Sequence, residues 1–532
     1  MPSSFPSFLP QPLLPSLLQL RLPLTMLGYD SEESFLWPAL ATLLVTIVVG
    51  TGIQKLVYNL YFHPLSKYPG PKLAACSNVP FSFWFLGGRQ PYKLLELHGK
   101  YGHVVRVAPN ELSFNSAQSF RDIYGFRPGH KTFIKSEFYD GGSFASRGVH
   151  SIVSERDPVA HGQMRRLLAH AFSNSSLKEQ EELVAKSVDR FIKLVKAKTD
   201  GGQIFDIAKG FERMAFDIIG DLGFGQTFDA LDTDEDHPWI GTMLGALTKG
   251  ALADSFKRFP AVARLLGVVL RRQIALLVED TRRNEDMAIE LVSKRIAQSS
   301  NRKDFMTRIL EHRKQDRVQV SDLQIAAHAS DMVLAGSETT STALSCATYH
   351  LLTSRSVMAK LQSEVRGAFS SYEAISDAST SELPYLQAVC QEAMRVYAPL
   401  PLGLPRVVPE GGDVVDGCFL PQGIIVSTNP VAASLDPANF GDPFAFKPER
   451  WLDTALVPGV DQLDASQPFI LGARGCLGKS LAWTEMRTTL AKLVWAFDLE
   501  LADVELDWHG QSRMYTLWSK PPLKVRAKLA QP

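Results

Sequence analysis

The sequence predicts a mainly α fold with small peripheral β-sheets, built as a single large domain behind an N-terminal membrane anchor. Six stretches carry apolar residues three and four apart, the period of a helix with one buried face: Glu179–Lys198, Glu212–Leu222, Val262–Ala297, Asp322–Ser354, Leu383–Tyr397 and Leu477–Ala496. Strand-like pieces are few, around Val104–Val107, Glu111–Phe114 and Val414–Val426, with Pro and Gly between them. From Ser34 to Gln54 the chain runs 21 residues without a charge, which as a helix spans about 30 Å, the thickness of a bilayer's hydrocarbon layer.

Residues 1–33 carry prolines at positions 2, 6, 10, 12, 15 and 23, so a disordered tail is expected there. Met26 opens a compact leader, MLGYDSEESFLW, directly before the apolar run and is a second candidate start. In the anchor, 34–54, Pro38 falls in the first turn, where a missing N–H costs little, and Trp37 and Tyr58 sit where interfacial aromatics belong. Asp30, Glu32 and Glu33 precede the run while Lys55, Lys67 and Lys72 follow it, so the positive-inside rule leaves the rest of the chain in the cytoplasm after a single pass. A cleaved signal peptide is the alternative, although the run exceeds the usual apolar segment of roughly 7–15 residues. Residues 55–72 read as a Pro-rich linker. No repeat or composition break divides 73–532, which therefore forms one domain, although 532 residues would allow three or four.

Lys+Arg and Asp+Glu are both 56, so no global field attracts nucleic acid, and membrane attraction must be local and apolar. Five cysteines, Cys76, Cys346, Cys390, Cys418 and Cys476, form no close pair and fit neither a disulfide scaffold nor a zinc site, which points to a reducing compartment. Four have unremarkable surroundings and behave as small buried hydrophobes.

Cys476 is different. It lies in Phe469-Ile-Leu-Gly472-Ala-Arg474-Gly475-Cys476-Leu-Gly478, directly before an amphipathic helix. The glycines let the backbone bend and approach a flat ligand, and the unpaired N–H groups of a helix start favour a thiolate, which can ligate iron. This segment resembles the haem-binding signature of the cytochrome P450 family; five fixed positions match by chance on the order of 10⁻⁴ times in such a chain. The resemblance implies haem b, with Cys476 as the axial ligand of its iron, Phe469 packed near the sulfur, and the Leu477 and Gly478 amides moderating the donor.

Glu392-Ala-Met-Arg395 is a motif of low specificity, since Glu279-Asp-Thr-Arg282 has the same spacing. Between Arg395 and Cys476, however, Phe446-Lys-Pro448-Glu449-Arg450-Trp451 resembles the segment whose arginine completes the family's Glu-Arg-Arg network. The resemblance assigns Glu392, Arg395 and Arg450 to a buried structural network, with Trp451 a conservative replacement of the commoner Phe.

The Asp322–Ser354 helix opens with Ser321-x-x-Gln324, a capping box, and contains Ala335-Gly336-Ser337-Glu338-Thr339-Thr340, whose glycine and hydroxyl run are poor helix material. The stretch resembles the family's central helix, in which an acid–alcohol pair kinks the helix over the haem and relays protons during dioxygen activation. Glu338 and Thr339 fill those positions. His161-Gly-Gln-Met-Arg165, Arg406 and Arg474 resemble the groups that hold the haem propionates, whose burial requires cationic partners. Arg166 and Lys479 are candidates for the face that meets a redox partner.

The resemblance covers about residues 60–505. It is strongest to fungal microsomal monooxygenases of secondary metabolism, such as trichothecene-pathway hydroxylases. It implies location in the endoplasmic reticulum membrane and insertion of one oxygen atom from O₂ into an apolar small molecule, a terpenoid or polyketide-type intermediate. Electrons would come from NADPH through cytochrome P450 reductase, with cytochrome b5 as a second donor. A haem-thiolate isomerase or dehydratase and a non-enzymatic haem protein are the rival readings. The loop Gly125–Asp157 and the helices through Trp239–Leu270 are expected to line the substrate pocket, with Phe126, Phe133, Phe138, Phe144 and Phe259. Asn174-Ser-Ser176 is a glycosylation sequon that a cytoplasmic domain leaves unmodified.

Overall fold

The computed structural model describes residues 33–140, 144–269, 271–298, 302–315, 320–452 and 461–530. The proline-rich tail and Met26 lie outside them. The chain divides into two compact units, Met1–Tyr58 and Asn59–Pro532.

In the first unit the helix Glu33–Val57 carries the apolar run; a π turn, Tyr58–Phe62, follows it in the chain. Pro38–Phe62 is long and apolar enough to cross a membrane. Helix thus extends into the first part of the segment read as a linker. Thr42, Thr46 and Thr51 fold their hydroxyls onto carbonyls one turn back, so these three polar side chains are satisfied within the helix.

The second unit is organised around the helix Asp322–Thr353, packed against Ile207–Phe224 over a long contact and against Pro384–Val396 and Lys479–Ala496. Both Asp322–Thr353 and Ile207–Phe224 are apolar on most faces, which suits elements buried in the core. At Gly336 a Cβ would come within 3.3 Å of the Ile219 side chain, so glycine permits this close packing. The Ser321 hydroxyl caps the first turn from Gln324 N–H, but the Gln324 amide donates to His150 O instead of returning to the cap, so only half of the capping box forms. The helix runs unbroken through Ser337–Thr342, whose hydroxyls bond back onto carbonyls of preceding turns in the case of Ser337, Thr339 and Ser341.

Helix covers Val262–Ala297 on both sides of residue 270, as Pro260–Val269 and Arg271–Ala297, and residue 270 lies outside the described residues. One sequence reading changes. Val414–Val426 is divided: Asp413–Val415 and Cys418–Leu420 form a hairpin whose turn residues Asp416 and Gly417 both take left-handed φ, the geometry of a tight two-residue turn. Ile425–Thr428 then joins another sheet.

That sheet has the order Val104–Ala108, Glu111–Phe114, Ile425–Thr428, Arg406–Val407, Ile134–Lys135. Its last pair sets Lys135 directly opposite Arg406. Adjacent strands therefore bring two cations from distant parts of the chain to one place.

Candidate functional site

The loop before Cys476 is closed by Cys476 N–H donating to Phe469 O at 2.8 Å, and Gly475 N–H donating to Gly472 O at 3.0 Å. Gly472 takes φ +71°, and a Cβ there would lie 2.1 Å from Tyr124 O, so only glycine fits. Gly475 and Gly478 adopt ordinary φ, and the remaining bend falls on Ile470 at φ 58°, strained for a β-branched residue. Gly478 caps the helix Lys479–Ala496, and its amide bonds the Cys476 sulfur. Desolvation pushes the Cys476 thiol up, while the Gly478 amide, Arg165 and Lys479 all favour the thiolate.

Cys476 opens into a cavity of about 350 Å³. The central helix presents Asp331, Met332, Ala335, Gly336, Thr339 and Thr340 to the same cavity, a stripe repeating every four residues. Ile152, Val153, Leu400, Leu404 and Phe469 make the lining mainly apolar. Phe469 lines the same cavity as Cys476.

Cations crowd one part of this wall. Lys135, His161, Arg165, Arg406 and Arg474 all line the cavity. His161 and Arg165 share a face of the helix Pro158–Ala169, and Asp157 caps its start. Arg165 donates to Gly475 O at 2.7 Å, Arg474 to Glu155 O and Arg156 O at 2.9 and 2.8 Å, and Arg406 to the Tyr139 hydroxyl at 3.0 Å. Lys135, missed in the sequence reading, donates to Ile152 O and Val153 O at 2.9 and 2.7 Å. None of Lys135, Arg165, Arg406 and Arg474 forms a salt bridge among the described residues. Burial, then Arg474, pushes Lys135 down to about 6 and His161 to about 3, while burial followed by Arg406 lowers Arg474 to about 10. Arg165, Arg406 and Arg474, none ion-paired to a carboxylate among the described residues, are placed to meet an anion, with Lys135 and His161 as further donors.

Glu338 is not in this cavity. One residue from Thr339 on a helix is a turn of about 100°, and the Glu338 carboxylate faces Lys520 at 3.1 Å. The Lys520 side chain is buried and also pairs with Glu212 at 3.2 Å and donates to the Thr342 hydroxyl at 3.0 Å. Burial pushes Glu338 up, with Lys520 opposing and Glu212 reinforcing the shift. Thr339 does line the cavity, its hydroxyl donating to Ala335 O at 2.7 Å.

The predicted structural network is assembled and buried. Arg395 bonds both Glu392 carboxylate oxygens at 2.8 and 2.7 Å and donates to three carbonyls, of Ser434, Pro443 and Ala445. Arg450 reaches Glu392 at 3.3 Å and Asp461 at 2.7 Å. Trp451 takes part too, its indole N–H donating to Glu392 at 3.0 Å.

The predicted phenylalanine pocket does not form. Phe126 is exposed, Phe133 and Phe144 are buried in packed cores, Phe138 packs against the main core, and Phe259 is half-buried; none lines the cavity. Trp239 is held inside the protein, its indole paired with Asn284 and its ring among Phe216, Phe224 and Phe228. Arg166 and Lys479 are exposed, and Asn174 is an exposed residue in a helical first turn.

A family model for cytochrome P450 matches residues 75–526. The chain belongs to the cytochrome P450 family. It is 49% identical over 90% of its length to cytochrome P450 monooxygenase ORF11 of Penicillium roqueforti (strain FM164), of which the match covers 99%. It is 45% identical to the cytochrome P450 monooxygenase BipB of Cochliobolus sativus, over 93% of this chain and 98% of BipB. Trichothecene C-15 hydroxylase of Fusarium sporotrichioides is 37% identical, over 92% of this chain and 98% of that one. The heme domain of cytochrome P450DA superposes with a TM-score of 0.73 at 18% identity, covering 87% of this chain and 98% of that domain, which establishes the fold. The protein is a cytochrome P450 monooxygenase, and family and fold imply haem. The cavity fits that group: a sulfur on one wall, an apolar interior, and unpaired buried cations for its carboxylates.

Proposed function

We propose that this P450 inserts one oxygen atom from O₂ into an apolar fungal secondary metabolite of terpenoid or polyketide type, with haem b as its cofactor. Electrons come from NADPH through cytochrome P450 reductase, or by way of cytochrome b5, and Arg166 and Lys479 contribute to the docking face. The helix Pro38–Phe62 supports single-pass anchoring in the endoplasmic reticulum membrane, with the enzyme cytoplasmic. The observation that carries the reading is one cavity bordered by the cysteine of the Cys476 loop, by Thr339 and by the cation cluster.

Cys476 would ligate the iron, and Arg165, Arg406, Arg474, His161 and Lys135 would hold the propionates. Bound haem supplies dioxygen activation. The chain's own task is to hold the cysteine loop, exclude water with Ile152, Val153 and Leu400, and move a proton at Thr339 Oγ1. Glu338, the acid of the acid–alcohol pair, pairs with Lys520 beside Thr339. Glu392, Arg395 and Arg450, with Trp451, fix the segment between the Pro384–Val396 helix and the cysteine loop. Reconstitution in reductase-containing membranes tests the reading: NADPH consumption coupled to oxygen uptake supports it. Turnover without either supports the isomerase alternative.

A further inference from the structure

The cavity wall contains a carboxylate that the reading above does not use. Asp331 lies on the central helix two turns before Thr339, on the same stripe, so the two are separated by about 12 Å of helical rise. Its Oδ2 is buried without a hydrogen-bond partner. A buried carboxylate oxygen left unpaired is costly, and native structures rarely tolerate one without a ligand, water or function to explain it.

Its neighbours do not satisfy it. The charge of Lys135 reaches it, but Lys135 directs its Nζ to Ile152 O and Val153 O. His328, three residues earlier, accepts from Ile152 N–H through Nδ1. The Ser151 hydroxyl and Val153 amide offset burial only in part, leaving the Asp331 carboxyl raised to about 6. The rest of the surrounding wall, Ile152, Val153, Met332 and Ala335, offers no hydrogen-bonding side chain.

We infer that Asp331 is a specificity-determining residue that accepts a hydrogen bond from a hydroxyl group carried by an otherwise apolar substrate. The inference rests on the monooxygenase reading and names the substrate class of that same site. A hydroxyl is favoured over an ammonium group because the wall around Asp331, formed by Ile152, Val153, Met332 and Ala335, offers no further side-chain acceptor to a buried ammonium. A hydroxyl anchored at Asp331 holds the far part of the molecule toward Thr339, so the carbon oxidised lies remote from the hydroxyl that is recognised.

The test uses the full-length haem-loaded protein and its Asp331→Leu and Asp331→Asn variants. Binding is measured by equilibrium dialysis with three matched probe pairs: farnesol, menthol and borneol, each against its methyl ether. The wild type is expected to prefer the alcohol by about tenfold in at least one pair. Asp331→Leu removes that preference by weakening the alcohol and leaving the ether unchanged, whereas Asp331→Asn keeps part of it through the amide oxygen. Equal affinities for alcohol and ether in the wild type, binding of no pair, or an undiminished preference in Asp331→Leu overturns the inference. The reduced carbon monoxide spectrum of each preparation reports the haem site separately. A wild type with the thiolate-type band and no alcohol preference overturns this inference alone, whereas absence of that band overturns the reading beneath it.

Discussion

The indole N–H of Trp451 donates to Glu392 Oε2 at 3.0 Å, completing a buried carboxylate that Arg395 and Arg450 also bind. Phe at that position would fill the space and lose the donor. Trp451→Phe should therefore destabilise the protein by about 1–3 kcal/mol, and Arg395→Ala by more, because it leaves a buried charge uncompensated. Thermal unfolding of the detergent-solubilised holoprotein measures both. An unchanged melting temperature in Trp451→Phe would show that the indole is only packing.

Lys520 holds Glu212 and Glu338 together inside the protein. Lys520→Met leaves the buried Glu338 carboxylate without its cation and Glu212 with Lys209 alone, and should cost about 3–5 kcal/mol. Adding Glu338→Gln should recover part of that loss, since the sites are coupled. Strictly additive effects in the melting curves would contradict the shared-lysine arrangement.

Thr339 and Glu338 are neighbours in sequence but face different surroundings. Thr339→Ala should retain the haem spectrum while several-fold more NADPH ends as hydrogen peroxide, the consequence of losing the cavity's proton-bearing hydroxyl. Glu338→Gln should change this ratio far less. Peroxide formed per NADPH consumed is the readout, and tight coupling in Thr339→Ala would refute its role.

His98 is buried between Gly102 O and the Ser113 hydroxyl, and burial lowers its pKa from 6.5 to about 4. The unfolded chain takes up a proton in that interval which the folded chain refuses. The stabilisation is thus fully present above about pH 6.5 and is lost as pH falls toward 4, amounting to about 3 kcal/mol. His98→Gln should show a shallower loss of melting temperature between neutral pH and about pH 5. Parallel curves for the two proteins would contradict the assignment.

The parts of this site legible in the sequence are local. Phe469 to Gly478 carries its meaning within ten positions, and the central helix and Glu392-Ala-Met-Arg395 retain theirs because helical spacing fixes which side chains share a face. What the sequence concealed depends on chain segments meeting. Lys135 joins the cation cluster only because its strand pairs with that of Arg406. Lys520 draws Glu338 away from Thr339 from 182 residues downstream. The phenylalanines chosen for the pocket are hydrophobic enough to line one, but composition does not say which cavity a ring will fill, and Phe133 and Phe144 went to the cores.

The central claim is that Cys476 binds the haem iron as a thiolate, and the reduced carbon monoxide difference spectrum tests it most directly. The wild type should show the red-shifted Soret band of a thiolate-ligated haem, and Cys476→Ala should lose stable haem binding altogether. A wild type without that shift, or a Cys476→Ala variant that keeps it, would contradict the account.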